Sequence, residues 1–560
     1  MRRLALALSA TAFSALIPIA PRAAAAGPPK ADLVIWGGPI HTAVDAHPTA
    51  QAVAVRAGRI VYVGARAGAA AEVGPKTKVI DLHGAALFPG FTDCHVHLSE
   101  IGERELTLNL EGSKSVAEVK QRLAAWIATH HPKGVIYGMG WHEGGWPEHR
   151  FLVRGDLDAV APDQPVILER ADGHALVANS AALRAAGITA ATPAPEGGQI
   201  LRGPDGQPTG MLVDNARALV AKLMPAPDEA RKIEAYHAAF KVETAYGWTG
   251  VHYMSVDPAD VTLLEAMDAR GEVPLRIYNA VLGVKAGPLM AAGPRQTPDG
   301  RITTRAIKLF MDGALGSRGA ALFADYDDAP GNKGTLVTEP AVMRPILAEA
   351  LKRGFQVSTH AIGDRANAEV LSLYEATFKA DPAAGARARW RVEHAQILRP
   401  ADIPRFHRDH VIASMQPSHA IGDLHWAAQR LGEARLEGAY AWKSLLDSGA
   451  VVVGGSDAPV ERGSPFVEFY AAIARKDLNG FSGPDWHREE RLTRARGLKL
   501  FTSSAAYARF AEKDLGTIEV GKRADLSGFS ADFMTVPPAE ILKAHAVLTV
   551  VDGQVVYRAD

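Results

Sequence analysis

Eight short apolar runs, mostly separated by helix-length stretches, constrain this chain more than any other feature. They are FTDCHVH (91–97), GVHYMSV (250–256), LRIYNAV (275–281), AIKLFMD (306–312), QVSTHA (356–361), RVEHAQ (391–396), VIASMQP (411–417) and VVVGGSD (451–457). Helical stretches such as PAVMRPILAEALKRG and RANAEVLSLYEATFKA lie between them. Eight strands in β-α alternation are the number a closed (β/α)8 barrel needs. An open doubly wound sheet is the rival, but no Gly-rich phosphate fingerprint follows the first run. The predicted fold class is α/β, a TIM-like barrel.

The chain is longer than such a barrel requires. DLVIWGGPIHT, AVAVRAGRIVYVG and KVIDLHGAALFPG near the start, and GTIEVGKRADLSGF and AVLTVVDGQVVYRAD at the end, are β-rich runs broken by glycine turns. Asp552-Gly553 reads as a tight hairpin turn. Segments 27–88 and 505–560 are predicted to join into one small composite β-sandwich beside a barrel spanning 89–504. About 150 residues separate the first two barrel runs, far beyond an ordinary βα loop. Within this insertion (99–248), SVAEVKQRLAAWIATHH has helical spacing and a Ser115/Glu118 capping box, and GGQILRGPDGQPTGMLV resembles a hairpin. The insertion leaves the first strand at its polar end, so it is expected to cap whatever lies there.

The first 26 residues differ in kind. Arg2 and Arg3 precede an apolar run, Leu4 to Ala20, and Ala24-Ala25-Ala26 gives an A-x-A pattern. That is the layout of a cleaved secretory signal, predicting a periplasmic or secreted protein with no stable membrane anchor; twin-arginine export stays open. Cys94 is the only cysteine, so no internal disulfide supports the exported chain, and it is expected to be a small buried filler. The formal net charge of -1, with both signs interspersed and no basic run, argues against a nucleic-acid partner and leaves a small-molecule substrate. Oligomeric state is not legible; a homo-oligomer stays open.

The chemistry-bearing residues gather at strand ends. In a strand, positions i and i+2 share a face, so His95 and His97 point one way with Asp93, while Cys94 and Val96 point the other. Lys308, His360, His394 and Asp457 stand near the C-terminal ends of later runs, the rim where barrel enzymes place their chemistry. Singly, each has a plainer explanation. His394 beside Glu393 fits a hydrogen-bonded core histidine, Asp457 a capping residue, and Lys308 a partner for Asp312. Together, four imidazoles and a carboxylate are the donors that a divalent metal takes. An ammonium cannot bind a metal, but a desolvated neutral lysine can react with carbon dioxide to give a bridging carbamate.

The chain resembles the amidohydrolase superfamily, in the branch of N-substituted formamide deformylase. PGFTDCHVHL, IKLFMDGALGSRGAAL, STHAIGDRA, RVEHAQIL, SMQPSH, GGSDAPV and GKRADL carry the likeness, with GMGWHEGGWP and DGHALVANSAAL more weakly, over about Asp32 to the end. The resemblance implies two divalent ions, zinc first, with manganese, iron, cobalt or nickel also matching. It places His95 and His97 on one ion, His360 and His394 on the other, and carboxylated Lys308 between them. Asp457 becomes the acid/base and touches the first ion. The implied reaction is hydrolysis of a C–N bond in an amide or formamide, with Asp457 taking the proton of the attacking water and passing it to the leaving nitrogen. Trp141, His142, His174, Arg318 and His419 are candidate substrate contacts; Trp146 is considered with them. ADLSGFS departs from the aliphatic residues common in relatives. Rival functions are a single-metal deaminase, a phosphoester or lactone hydrolase, and a non-catalytic binding or regulatory protein.

Overall fold

Parallel strands buried on both faces carry no polar face, which is why the barrel strands read as continuous apolar runs. In the computed structural model, which describes residues 29–224, 227–483 and 486–559, all eight runs are strands. They are β1 (Phe91–Val96), β2 (Trp248–Val256), β3 (Arg276–Leu282), β4 (Ile302–Phe310), β5 (Gln356–Ala361), β6 (Arg391–His394), β7 (Ile412–Met415) and β8 (Val452–Gly454). Each pairs in parallel with the next, and a single parallel bridge from Val96 to Ala458 brings the two ends together. The result is a nearly closed eight-stranded barrel.

Five strands stop short of the predicted runs: β1 at Val96, β4 at Phe310, and the last three. β6 ends at His394, β7 at Met415 and β8 at Gly454. His394, Ala395 and Asp457 have φ of 72°, 43° and 62°. Left-handed backbone at a non-glycine residue costs about 1–3 kcal/mol and cannot continue a strand. Two of these three are candidate site residues.

The chain ends meet in one eight-stranded sheet. Gln554–Arg558, Ala546–Val551 and Leu526–Phe529 continue through Ala86–Pro89 into Leu33–His41, Thr49–Arg56 and Arg59–Gly64, with Lys78–Asp81 beside Leu33–His41. Asp552 and Gly553 turn the last hairpin with φ of 55° and 76°, the pair of positive values that a type I′ turn demands. The ADLSGFS departure has a local cause. Ser527 Oγ accepts from Phe91 N at 2.9 Å and donates to Gly247 O at 2.7 Å, tying this sheet to the starts of β1 and β2.

Between β1 and β2 the chain builds a six-stranded sheet with its own apolar core around Leu123, Trp141, Trp146 and Leu168. Its helix Val116–His130 starts at Ser115, whose hydroxyl accepts from Glu118 N. The Glu118 carboxylate reaches Lys114 N rather than Ser115 N, a capping box displaced by one residue. The hairpin-like stretch forms the antiparallel pair Gly198–Arg202 and Pro208–Asp214. The predicted signal segment lies outside the described residues. Among the described residues no helix is long and apolar enough to cross a membrane.

Candidate active site

The ends of β1 and β8 are latched by backbone bonds. Asp457 N donates to His95 O at 2.7 Å, and His97 N donates to Ala458 O at 2.8 Å. Asp93 Oδ1 accepts from His95 N (3.1 Å) and Ser456 N (2.9 Å), so this inward carboxylate holds backbone. A Cβ at Gly455 would stand 2.6 Å from His95 N, so the close approach needs glycine. Cys94 faces outward into an apolar cluster with Ile412, Val453, Ala505 and Ala508, and burial pushes its thiol far up.

These latches bring His95 and His97 to the same carboxylate. Asp457 Oδ1 lies 3.3 Å from His95 Nε2 and 3.2 Å from His97 Nε2, yet has no hydrogen-bond partner among the described residues. Lys308 Nζ lies 3.3 Å from His95 Nε2. The His394 ring centroid is 4.9 Å from that of His95 and 4.5 Å from that of His360. Lys308 does not pair with Asp312. The Asp312 oxygens accept instead from the backbone of Ala321, Ile362 and Gly363.

Neighbours fix which ring nitrogens remain free. His95 Nδ1 is 2.7 Å from Glu393 Oε2, and His394 Nδ1 is 2.8 Å from Gln416 Oε1. With Nδ1 donating to these oxygens, each Nε2 keeps its lone pair for the centre. Burial, reinforced by Lys308, pushes His95 down to about 4; burial and neighbouring charge push His360 and His394 well below the usual range. Burial pushes Lys308 down to about 8. Burial alone would raise the Asp457 carboxyl, but His95, His97 and His394 outweigh it and hold it well below the carboxylate range.

This donor set fits a divalent cation. A buried carboxylate oxygen without a hydrogen-bond donor faces imidazole nitrogens that keep their lone pairs, and a metal satisfies all of them together. His95, His394 and Asp457 each offer one ligand atom within 4.8 Å of the others. That trio takes one histidine from each of the two expected pairs, so it does not follow the division of ligands that the resemblance implies.

Beyond the centre, a cavity of about 630 Å³ lies between barrel rim and insertion. His97, Lys308, His360, His394, His419 and Asp457 line it from the barrel, and His142, Arg170, Asp172, His174 and Asp214 from the insertion. His419 Nε2 stands 3.6 Å from Asp457 Oδ2. Burial, followed by the charge of Arg170, pushes His142 down to about 4.

Two expected substrate contacts are not on this wall. Trp141 is fully buried in the insertion's core beside Trp146 and donates to Leu168 O at 3.0 Å; both tryptophans build that core. Arg318 is held by Asp328 through bonds of 3.0 and 2.9 Å, away from the cavity lining.

Sequence reasoning missed several residues. Arg391, fully buried, donates to Glu393, Ser414 Oγ and Cys94 O and meets His252 Nδ1 at 2.7 Å, so it anchors the support of His95. Arg170, 3% exposed, is clamped by Glu143 and Asp172. The only signal for the first was the Glu393-His394 adjacency, and charges inside an insertion give no signal for the second.

Comparison with known proteins agrees with this architecture. Residues 78–557 match the sequence profile described as amidohydrolase family. The Bacillus subtilis (strain 168) protein YtcJ, named as an amidohydrolase, is 34% identical over 93% of this chain and 99% of its own. N-substituted formamide deformylase of Arthrobacter pascens is 28% identical over 94% and 98%. An uncharacterized metal-dependent hydrolase from Pyrococcus horikoshii OT3 superposes with a TM-score of 0.73 at 26% identity, covering 90% of this chain and 99% of that one.

Proposed function

Because this chain belongs to the amidohydrolase family and is a metal-dependent hydrolase, we propose that it cleaves the C–N bond of a small amide or formamide. One observation carries the reading: the partnerless Asp457 Oδ1, buried amid the Nε2 atoms of His95 and His97. His95, His97, His360, His394, Asp457 and a carboxylated Lys308 would hold two divalent ions, zinc by preference. When bound, such ions lower the pKa of water to about 7 and polarise a carbonyl oxygen. Glu393 and Gln416 orient two of the imidazoles, and Arg391 fixes Glu393. Asp457, kept ionised by its neighbours, takes a proton from the attacking water. The insertion supplies one wall of the cavity beside the centre.

A second reading has its own support. The compact trio His95, His394 and Asp457 matches the three-ligand, open-position pattern of a single catalytic ion, which suits a deaminase or an ester or lactone hydrolase. Turnover of formyl- and acyl-amines by purified protein, with ions counted per chain, separates the two: two ions and amine release support the first, while one ion and ammonia release from an aminated ring support the second.

We also propose export. The basic start, apolar run and Ala24-Ala25-Ala26 support it, and N-terminal sequencing of secreted or periplasmic material beginning near residue 27 tests it.

A further inference from the structure

His174 enters the cavity from the insertion, in the turn between strands Val166–Arg170 and Ala175–Ala178. Its Nδ1 lies 2.8 Å from Asp214 Oδ1, and Asp214 N donates to His174 O at 2.7 Å, so side chain and backbone both hold the pair. The His174 ring centroid is 5.5 Å from that of His360. Asp214 in turn meets the loop after β4, the strand that carries Lys308. A Cβ at Gly319 would stand 2.9 Å from Asp214 Oδ2, and one at Gly313 3.3 Å from both oxygens. The glycines of DGALGSRGA thus make room for a carboxylate from the insertion. With Nδ1 turned to Asp214, Nε2 is the ring nitrogen left for a substrate.

Asp457 stands on the barrel wall of the cavity, whereas His174 stands on the wall that the insertion supplies. His97 and His95 crowd its Oδ1 at 3.2 and 3.3 Å, and His419 and His394 lie 3.6 and 4.0 Å from its Oδ2.

We propose that His174, oriented by Asp214, is a second catalytic residue, supplied by the insertion, that protonates the leaving nitrogen of the scissile amide. This rests on the amide-hydrolysis reading above. A C–O bond forms between the attacking water and the carbonyl carbon, and one water proton passes to Asp457. The C–N bond then breaks, its electron pair staying on nitrogen, which takes a proton from His174 Nε2. Asp457 later releases its proton to solvent, and His174 regains one through the cavity mouth, so amide and water become acid and amine. Asp457 therefore collects a proton without having to carry it to the nitrogen.

The test is a series of amides sharing one acyl group, with leaving amines running from nitroaniline to alkylamine, assayed with wild type, His174→Gln and Asp214→Asn. General-acid help matters most for a basic leaving nitrogen, so His174→Gln is expected to lose roughly 10²–10³ in kcat on alkylamides and far less on nitroanilides. Asp214→Asn follows the same trend with smaller amplitude. Both variants keep wild-type metal content. An equal loss along the whole series, or none, overturns the proposal, as does loss of metal on His174→Gln, which would make the residue a ligand. Wild-type turnover of the nitroanilide establishes the underlying reading separately; a wild type inactive on every amide overturns both.

Discussion

Glu393 stands between two buried partners: its Oε2 is 2.7 Å from His95 Nδ1, and its Oε1 is 2.7 Å from Arg391 Nε. A single carboxylate thus fixes the tautomer of an expected metal ligand and neutralises a fully buried guanidinium.

Glu393→Ala removes both services. Loss of the oriented imidazole is expected to weaken metal binding about 10–100-fold. The unpaired Arg391 adds a stability loss of about 3–5 kcal/mol, the usual penalty for breaking a buried pair. Metal titration and denaturant unfolding of the same variant check both figures; full affinity with native stability would remove Glu393 from the site.

Asp457→Asn keeps the shape of the side chain but cannot take a proton. A fall in kcat of about 10²–10⁴ is expected, with much of the metal retained on the histidines. Stopped-time product assays and elemental analysis of that variant check it, and an unchanged kcat would exclude the proton-transfer role.

Lys308 gives a pH dependence with a definite sign. Its folded pKa is lowered from 10.5 to about 8, so the neutral amine, the form that reacts with carbon dioxide, grows as pH rises through 8. At a fixed concentration of dissolved carbon dioxide, reconstitution of metal-free protein with zinc should quicken as pH rises from 6 through 8 and level off about one unit above 8. Between the folded and unfolded values the unfolded chain holds the extra proton, so this group's contribution to stability rises with pH there. A recovery that needs no carbon dioxide and stays flat with pH at fixed carbon dioxide would remove the carbamate.

Arg318→Ala tests a corrected expectation. The pair with Asp328 is partly exposed, and such pairs contribute about 0–1 kcal/mol. KM and kcat should stay within about twofold of wild type, as measured by steady-state kinetics. A KM raised tenfold would return Arg318 to the substrate.

The barrel was legible because most of its strands are rich in apolar residues and end on polar ones, with β6 and its buried Arg391 and Glu393 the exception. The ends of β6 and β8 were not legible: His394, Ala395 and Asp457 adopt left-handed backbone that only tertiary contacts such as the Asp457 N to His95 O bond impose. His95, His97, Lys308, His360, His394 and Asp457 were named from residue type and strand position, and the structure brings all six to one rim. The insertion's wall was harder. Arg170, Asp172 and Asp214 look like solvated surface charges until a barrel lies opposite them, and Trp141 looks like a pocket residue until its indole is seen holding Leu168 O.

Elemental analysis of untagged, active protein, paired with chelation and zinc add-back, tests the metal centre most directly. Two divalent ions per chain, activity lost with the chelator and recovered with zinc, is the predicted result. Active protein that carries no cation and ignores the chelator would contradict the account.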